Sequence, residues 1–262
     1  MNVYESGLVT ELMIACGMGD RIKVLSLIEQ GVNLNIKNVD GNTPLMEAAW
    51  YDRADIIKIL VEHKANINAK NNNGDTALIL ACRRENEDAA KALIDFGANI
   101  EEKNDKGFTP LMEASWHNLV SLVKELKDKG VDLNAKNNDG DTALILACRT
   151  ENEDVAKQLI EYGAYVNKQN NYGITPLMEV AWHNSRGIAK MFIERGANVN
   201  TKNKDEFTAL DIAKARENQD IVQILSKAKE KSDKEVVDNK KIDVCSIDRE
   251  NLVDNTKGKN LE

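Results

Sequence analysis

The sequence predicts an all-α fold with short β-hairpin turns, an elongated helical solenoid of about seven stacked 33-residue units. Three observations predict it. Thr10, Thr43, Thr76, Thr109, Thr142, Thr175 and Thr208 recur every 33 residues, and each opens a similar apolar segment. A second apolar run follows each, ending in a step such as Gly163-Ala164-Tyr165-Val166-Asn167. Pairs with tight-turn chemistry, among them Asp40-Gly41, Asn73-Gly74 and Asp139-Gly140, then separate one copy from the next. A unit this short cannot bury its own apolar face and must stack on its neighbours, so function belongs on a long surface.

Each element has a local cause. Threonine can cap the first helix, and proline fits the first helical position because it has no N–H to lose; Pro44, Pro110 and Pro176 all follow the entrance threonine. Alanines in the first helix let the next layer approach closely, while Leu93-Ile94, Leu159-Ile160 and Phe192-Ile193 place bulk on the inner face of the second helix. Gly97, Gly130, Gly163 and Gly196 follow that helix, where a left-handed cap costs least without a Cβ. A projecting finger then turns through the Asx-Gly steps. Lys64 stands where other copies place the cap glycine, Glu206 replaces the finger glycine of the last copy, and Gly187 is a weak point early in a second helix.

Aligned on the threonines, alternate copies read Thr43-Pro44-Leu45-Met46-Glu47-Ala48-Ala49, Thr109-Pro110-Leu111-Met112-Glu113-Ala114-Ser115 and Thr175-Pro176-Leu177-Met178-Glu179-Val180-Ala181. The intervening copies read Thr76-Ala77-Leu78-Ile79-Leu80-Ala81-Cys82 and Thr142-Ala143-Leu144-Ile145-Leu146-Ala147-Cys148. This resembles the ankyrin repeat family, whose signature is T-P-L-H-x-A on a 33-residue period. The resemblance covers about residues 7–229. The first copy has no preceding finger, and the last lacks the finger glycine. Residues 1–38 therefore form an N-terminal capping repeat, 39–203 five internal repeats and 204–229 a C-terminal cap, leaving a charged tail over 230–262. That tail is expected to be disordered and solvated; the alternative has Val236-Val237, Ile242, Val244 and Ile247 forming one short amphipathic turn or a docking peptide.

Composition narrows the classes. A formal net charge of −8 argues against an extended basic nucleic-acid surface. No apolar run has membrane-spanning length and Met1–Thr10 lacks the form of a signal peptide, so a cytoplasmic location is expected, with secretion by a non-classical route left open. Cys16, Cys82 and Cys148 lie two layers apart, roughly 20 Å at helix-packing distances, beyond disulfide reach. They read as alanine-like core residues and Cys245 as a free thiol.

The informative chemistry lies on the first helices. Residues at i, i+3 and i+4 share a face, which aligns Glu47, Trp50 and Tyr51; Glu113, Trp116 and His117; and Glu179, Trp182 and His183. Intervening copies place Leu80, Arg83 and Arg84, or Leu146, Arg149 and Thr150, there. The three tryptophans are thus 66 residues apart. The family resemblance implies that this is the concave side, where first helices and fingers grip a partner. Tryptophan and arginine are common binding hot spots. The expected contact set is Glu47, Trp50, Tyr51, Arg83, Arg84, Phe108, Glu113, Trp116, His117, Arg149, Tyr172, Ile174, Glu179, Trp182 and His183. An alternative has each indole flat between layers, stacked under Arg83 or Arg149. Lys37, Lys70, Lys103, Lys136 and Lys202 read as a solvated stripe, and Asn38, Asn71, Asn104, Asn137, Asn170 and Asn203 as loop scaffolding.

An enzymatic reading needs a constellation that is missing. Glu113/His117 and Glu179/His183 each offer two ligands at most, short of a zinc site, and Gly17-Met18-Gly19 lacks the third glycine of a dinucleotide loop. No catalytic residue, cofactor or metal is expected. The sequence reads as a non-catalytic, monomeric interaction scaffold for a protein partner. A secreted host-directed effector, or a regulatory or inhibitory subunit of an enzyme, are the alternatives.

Overall fold

The computed structural model describes residues 3–234. Its first helices are α1 (Val3–Met18), α3 (Pro44–Trp50), α5 (Ala77–Arg83), α7 (Pro110–Trp116), α9 (Ala143–Arg149), α11 (Pro176–His183) and α13 (Ala209–Ala215). Its second helices are α2 (Arg21–Glu29), α4 (Ala54–Glu62), α6 (Glu87–Asp95), α8 (Val120–Asp128), α10 (Glu153–Glu161), α12 (Arg186–Glu194) and α14, spanning 219–234. First helices pack on first helices from α1 to α13, and second helices on second helices from α2 to α12. The result is the expected helical solenoid.

Six first helices begin as anticipated. The hydroxyls of Thr43, Thr76, Thr109, Thr142, Thr175 and Thr208 accept the backbone N–H three residues on, at 3.2–3.3 Å. Thr10 differs, because it lies inside α1. The described residues ahead of it are helical and Glu11 stands in the proline position, so nothing among them forces the chain to turn there. At the other end α14 continues past Lys229 to residue 234. The tail from residue 235 on, expected to be disordered with an amphipathic turn over Val236 to Ile247 as the alternative, and Cys245 with it, lies outside the described residues.

The layers interlock by size. Ala48, Ala49, Ala81, Ala114 and Ala147 are fully buried where first helices meet, and Leu93, Leu159 and Phe192 fill the inner face of the second helices. Ile193 only packs at the edge of the core. Cys16, Cys82 and Cys148 are buried and free. Burial pushes the Cys16 thiol up to about 12, with Glu47 adding to it, and raises the Cys82 and Cys148 thiols well above the usual range too.

No strand occurs among the described residues; the fingers are hydrogen-bonded turns. Gly41 donates to the Asn38 carbonyl and Asn38 to that of Asn42, closing the first finger. Each later finger also donates from its backbone to the one before it, as in Asn72 N–H to Asp40 O (3.0 Å) and Asn171 N–H to Asp139 O (2.8 Å). That contact explains the glycine: Gly41 has φ +80°, and a Cβ there would lie 2.7 Å from the Asn72 nitrogen. Glu206 holds the same left-handed geometry at φ +67° in the last finger, which no described finger follows. Lys64 likewise adopts φ +70° in the cap position.

Two polar ladders fasten successive copies. The asparagine series is scaffolding: Asn71 Oδ1, for instance, accepts from the backbone of Asn73 and Asp75 in its own finger, both at 2.9 Å, and its Nδ2 donates to Asn42 Oδ1 of the preceding copy, also at 2.9 Å. The lysine series does more than line the solvent. Lys37, Lys70, Lys103 and Lys136 each donate from Nζ to the backbone carbonyl 33 residues on, at 2.6–2.9 Å, and Gln169 continues the series to the Lys202 carbonyl.

Candidate partner-binding groove

Fingers and first helices border two adjoining clefts. One, of about 400 Å³, is lined by Glu47, Trp50, Asp75 and Arg83; the next, of about 410 Å³, by Asp75, Arg83, Phe108 and Glu113. The expected rows do alternate along this face, but their side chains divide between two jobs.

Arg83 and Arg149 form internal clamps. Arg83 donates through both Nη atoms to Asp75 (2.7 and 2.8 Å) and through Nε and Nη2 to Glu113 (3.1 and 2.6 Å). Arg149 repeats this on Asp141 (2.6 and 2.9 Å) and Glu179 (2.9 Å from Nε). Asn104 and Asn170 donate to the same aspartates. Burial opposes each guanidinium charge, yet the paired carboxylates outweigh it and the arginine pKa values rise. For Glu179 burial is the larger influence and raises its pKa against the lowering by Arg149. Two expectations are corrected here. Glu113 is only 5% exposed, covered by the arginine of the preceding layer, and is not on the accessible surface. Neither Arg83 nor Arg149 stacks on an indole.

The tryptophans stay on the open face. Trp50 lies under Arg84, with the guanidinium carbon 4.5 Å from the ring centre, and Trp182 under Arg216 at 4.3 Å. The covering cation is thus one residue past the clamp position. Trp116 and Trp182 are 38% and 49% exposed. Each indole's backbone is fixed from the next layer: Asn86, Asn152 and Asn218 donate to the carbonyls of Trp50 (2.7 Å), Trp116 (2.8 Å) and Trp182 (3.3 Å). These carbonyls end helices and would otherwise lack partners.

His117 Nδ1 lies 3.3 Å from Glu85 and His183 Nδ1 3.3 Å from Glu151. Both glutamates have left-handed backbones, φ +61° and +59°, in the turn between helices. His117 Nε2 is 3.9 Å from Glu113, so the Glu113/His117 pair does approach. Among the described residues no three His, Cys, Asp or Glu side chains are placed to hold a metal ion.

The first row departs from the pattern. Glu47 accepts only from the side-chain amides of Asn38 (3.2 Å) and Asn42 (3.4 Å), because Gly17 occupies the position that Arg83 and Arg149 hold elsewhere. Burial raises its pKa, with a smaller push from Asp40 and an opposing pull from the Asn42 amide. Tyr51 lies against Gly17 and is exposed on its other side. On the fingers, Phe108 and Ile174 pack half-buried against the core while Tyr172 is exposed.

Asp75 and Asp141 stand out in the sequence as the finger residues that alternate with Phe108 and Ile174, but their role in the clamps, and the asparagine grips, were missed by sequence reasoning. A signal existed: the aspartates occur only in the copies that carry the clamp arginines, and Asn86, Asn152 and Asn218 share the 66-residue interval of the tryptophans.

No described helix is long and apolar enough to cross a membrane. None of the curated proteins matches the chain. Among solved structures, the ankyrin repeat domain of human ASB11 superimposes with a TM-score of 0.73 at 26% identity, covering 81% of this chain and 96% of that one. The ankyrin repeat domain of Bcl-3, described as a unique member of the IkappaB protein family, superimposes with a TM-score of 0.72 at 27% identity, covering 81% and 97%. Family models for ankyrin repeats match residues 27–81 (many copies) and 64–137 and 117–203 (three copies). Together with the stacked helix pairs, these matches place the chain in the ankyrin repeat family, whose fold is generally a protein–protein interaction module.

Proposed function

We propose that this protein is a non-catalytic, monomeric scaffold that binds a protein partner along the groove between its first helices and fingers. Trp116 and Trp182 carry the reading: large indoles, partly open to solvent, on one face, at helix ends whose backbone carbonyls accept hydrogen bonds from asparagines of the next layer. A backbone fixed in this way limits the conformational entropy lost on binding. Trp50, Tyr51, Arg84, His117, His183 and the finger residues Phe108, Tyr172 and Ile174 extend the surface. Glu47 borders it, whereas Arg83, Arg149, Glu113 and Glu179 support it from beneath.

The test is a double substitution, Trp116→Ala with Trp182→Ala. Partner affinity falls at least about tenfold, as expected on losing hot-spot residues, while the helical circular dichroism and the unfolding midpoint stay near wild type. Unchanged affinity places the site elsewhere. Arg149 is left intact because its removal strips Asp141 and Glu179 of their counter-charge.

A further inference from the structure

The 66-residue repeat supplies an internal template for what the middle of the groove lacks. Arg84 covers Trp50, and Arg216 covers Trp182. The equivalent residue beside Trp116 is Thr150, and among the described residues no cation lies over that ring. Thr150 turns back onto its own helix instead, donating to the Leu146 carbonyl at 3.0 Å and accepting from Asn152 at 2.8 Å. Trp116 is thus a partly exposed indole without the guanidinium that its two counterparts possess.

The surroundings favour a cation. Asp75, Glu85, Glu113, Asp141, Glu151 and Glu179 occupy the central layers, against the guanidinium ions of Arg83, Arg84 and Arg149, while Asp105 and Lys106 on the finger offset one another. Glu85 and Glu151 are 64% and 63% exposed at their side chains. His117 and His183 are the titratable groups facing them. This stretch is therefore net negative, while both flanking indoles already have their positive partner.

We propose that the protein partner presents an arginine side chain whose guanidinium stacks on Trp116, completing in trans the arrangement that Arg84 and Arg216 make in cis. This rests on the groove being the binding face. Arginine is favoured over lysine because its plane can lie parallel to the indole and its edge donors can reach the flanking carboxylates, which a compact ammonium does less well.

The test uses the full chain and a short blocked peptide, acetyl-Gly-Gly-Arg-Gly-Gly-amide, followed by the indole N–H resonances of the three tryptophans. The Arg peptide shifts the Trp116 resonance in a saturable way; its citrulline counterpart, of nearly the same shape without the charge, does not. Thr150→Arg supplies the missing guanidinium internally and weakens the peptide's effect at Trp116 about tenfold, the scale of one cation–π contact. That variant is expected to fold, since two sister layers already carry arginine there. Equal shifts with arginine and citrulline, no saturable shift at Trp116, or an undiminished response in Thr150→Arg each overturn the proposal. If a protein partner is lost on Trp116→Ala with Trp182→Ala but binds Thr150→Arg normally, the groove reading stands and the guanidinium inference alone fails.

Discussion

At the scale of single residues, one side-chain type does two different jobs at adjacent positions. Arg83 lies across Asp75 and Glu113, both almost completely buried, whereas Arg84 rests on Trp50 in the open. Removing one partner of a buried pair leaves charge without compensation. Arg83→Ala is therefore expected to destabilise the chain by about 3 kcal/mol, measured by urea unfolding, whereas Arg84→Ala costs under about 1 kcal/mol, the range of an exposed cation–π contact. Equal effects would remove the distinction between clamp and surface. Glu47 gives a change of opposite sign. Its folded pKa is raised, first by burial, so its contribution to stability is complete below the unfolded carboxylate pKa and is lost as pH rises through the folded value. Glu47→Gln keeps the acceptor for Asn38 and Asn42 and avoids that loss. It should unfold at higher urea than wild type at neutral pH, and the gap should close near pH 3, below the unfolded carboxylate pKa of about 4.3. A gap that widens in acid would contradict this. The sequence places Glu47, Glu113 and Glu179 in one register, but the arginines that neutralise Glu113 and Glu179 arrive from 30 positions earlier, so only the stacked layers reveal which acid is paired.

At the scale of elements, helix starts were legible because their chemistry is local. Thr and Pro act within one turn, and six caps form where the repeat places them. Thr10 shows the limit: the same residue without a preceding finger is absorbed into a longer helix. The fingers were legible as tight turns, but their backbone contacts across layers were not, because each depends on a residue in the next copy. The lysines are exposed as the solvated stripe predicts, but their bonds to the next copy were not legible for the same reason. The core thiols illustrate what packing does to chemistry. Cys16, Cys82 and Cys148 are buried with their pKa values pushed up, so little thiolate forms near neutral pH. A maleimide should label these three only as fast as the helices open, and promptly in denaturant. Rapid labelling in the folded state would show that the layers are looser than described.

At the scale of the whole molecule, backbone and side-chain bonds join each copy chiefly to the next, so the stack itself is the folding unit. Its two faces differ in kind. The second helices present mixed charge such as Lys58 and Asp95, whereas the first helices and fingers present the indoles, Tyr51 and Tyr172. The architecture and the tryptophan register were readable from the period. Which of the groove's polar residues face outward was not, because exposure depends on neighbours two or more helices away. The direct measurement of the central claim is photo-crosslinking, with a benzophenone side chain placed at Tyr51 or Tyr172 in the groove and, separately, at Lys58 or Asp95 on the second helices. The account predicts that one protein partner is captured from the groove positions and not from the others; capture from Lys58 or Asp95 alone would contradict it.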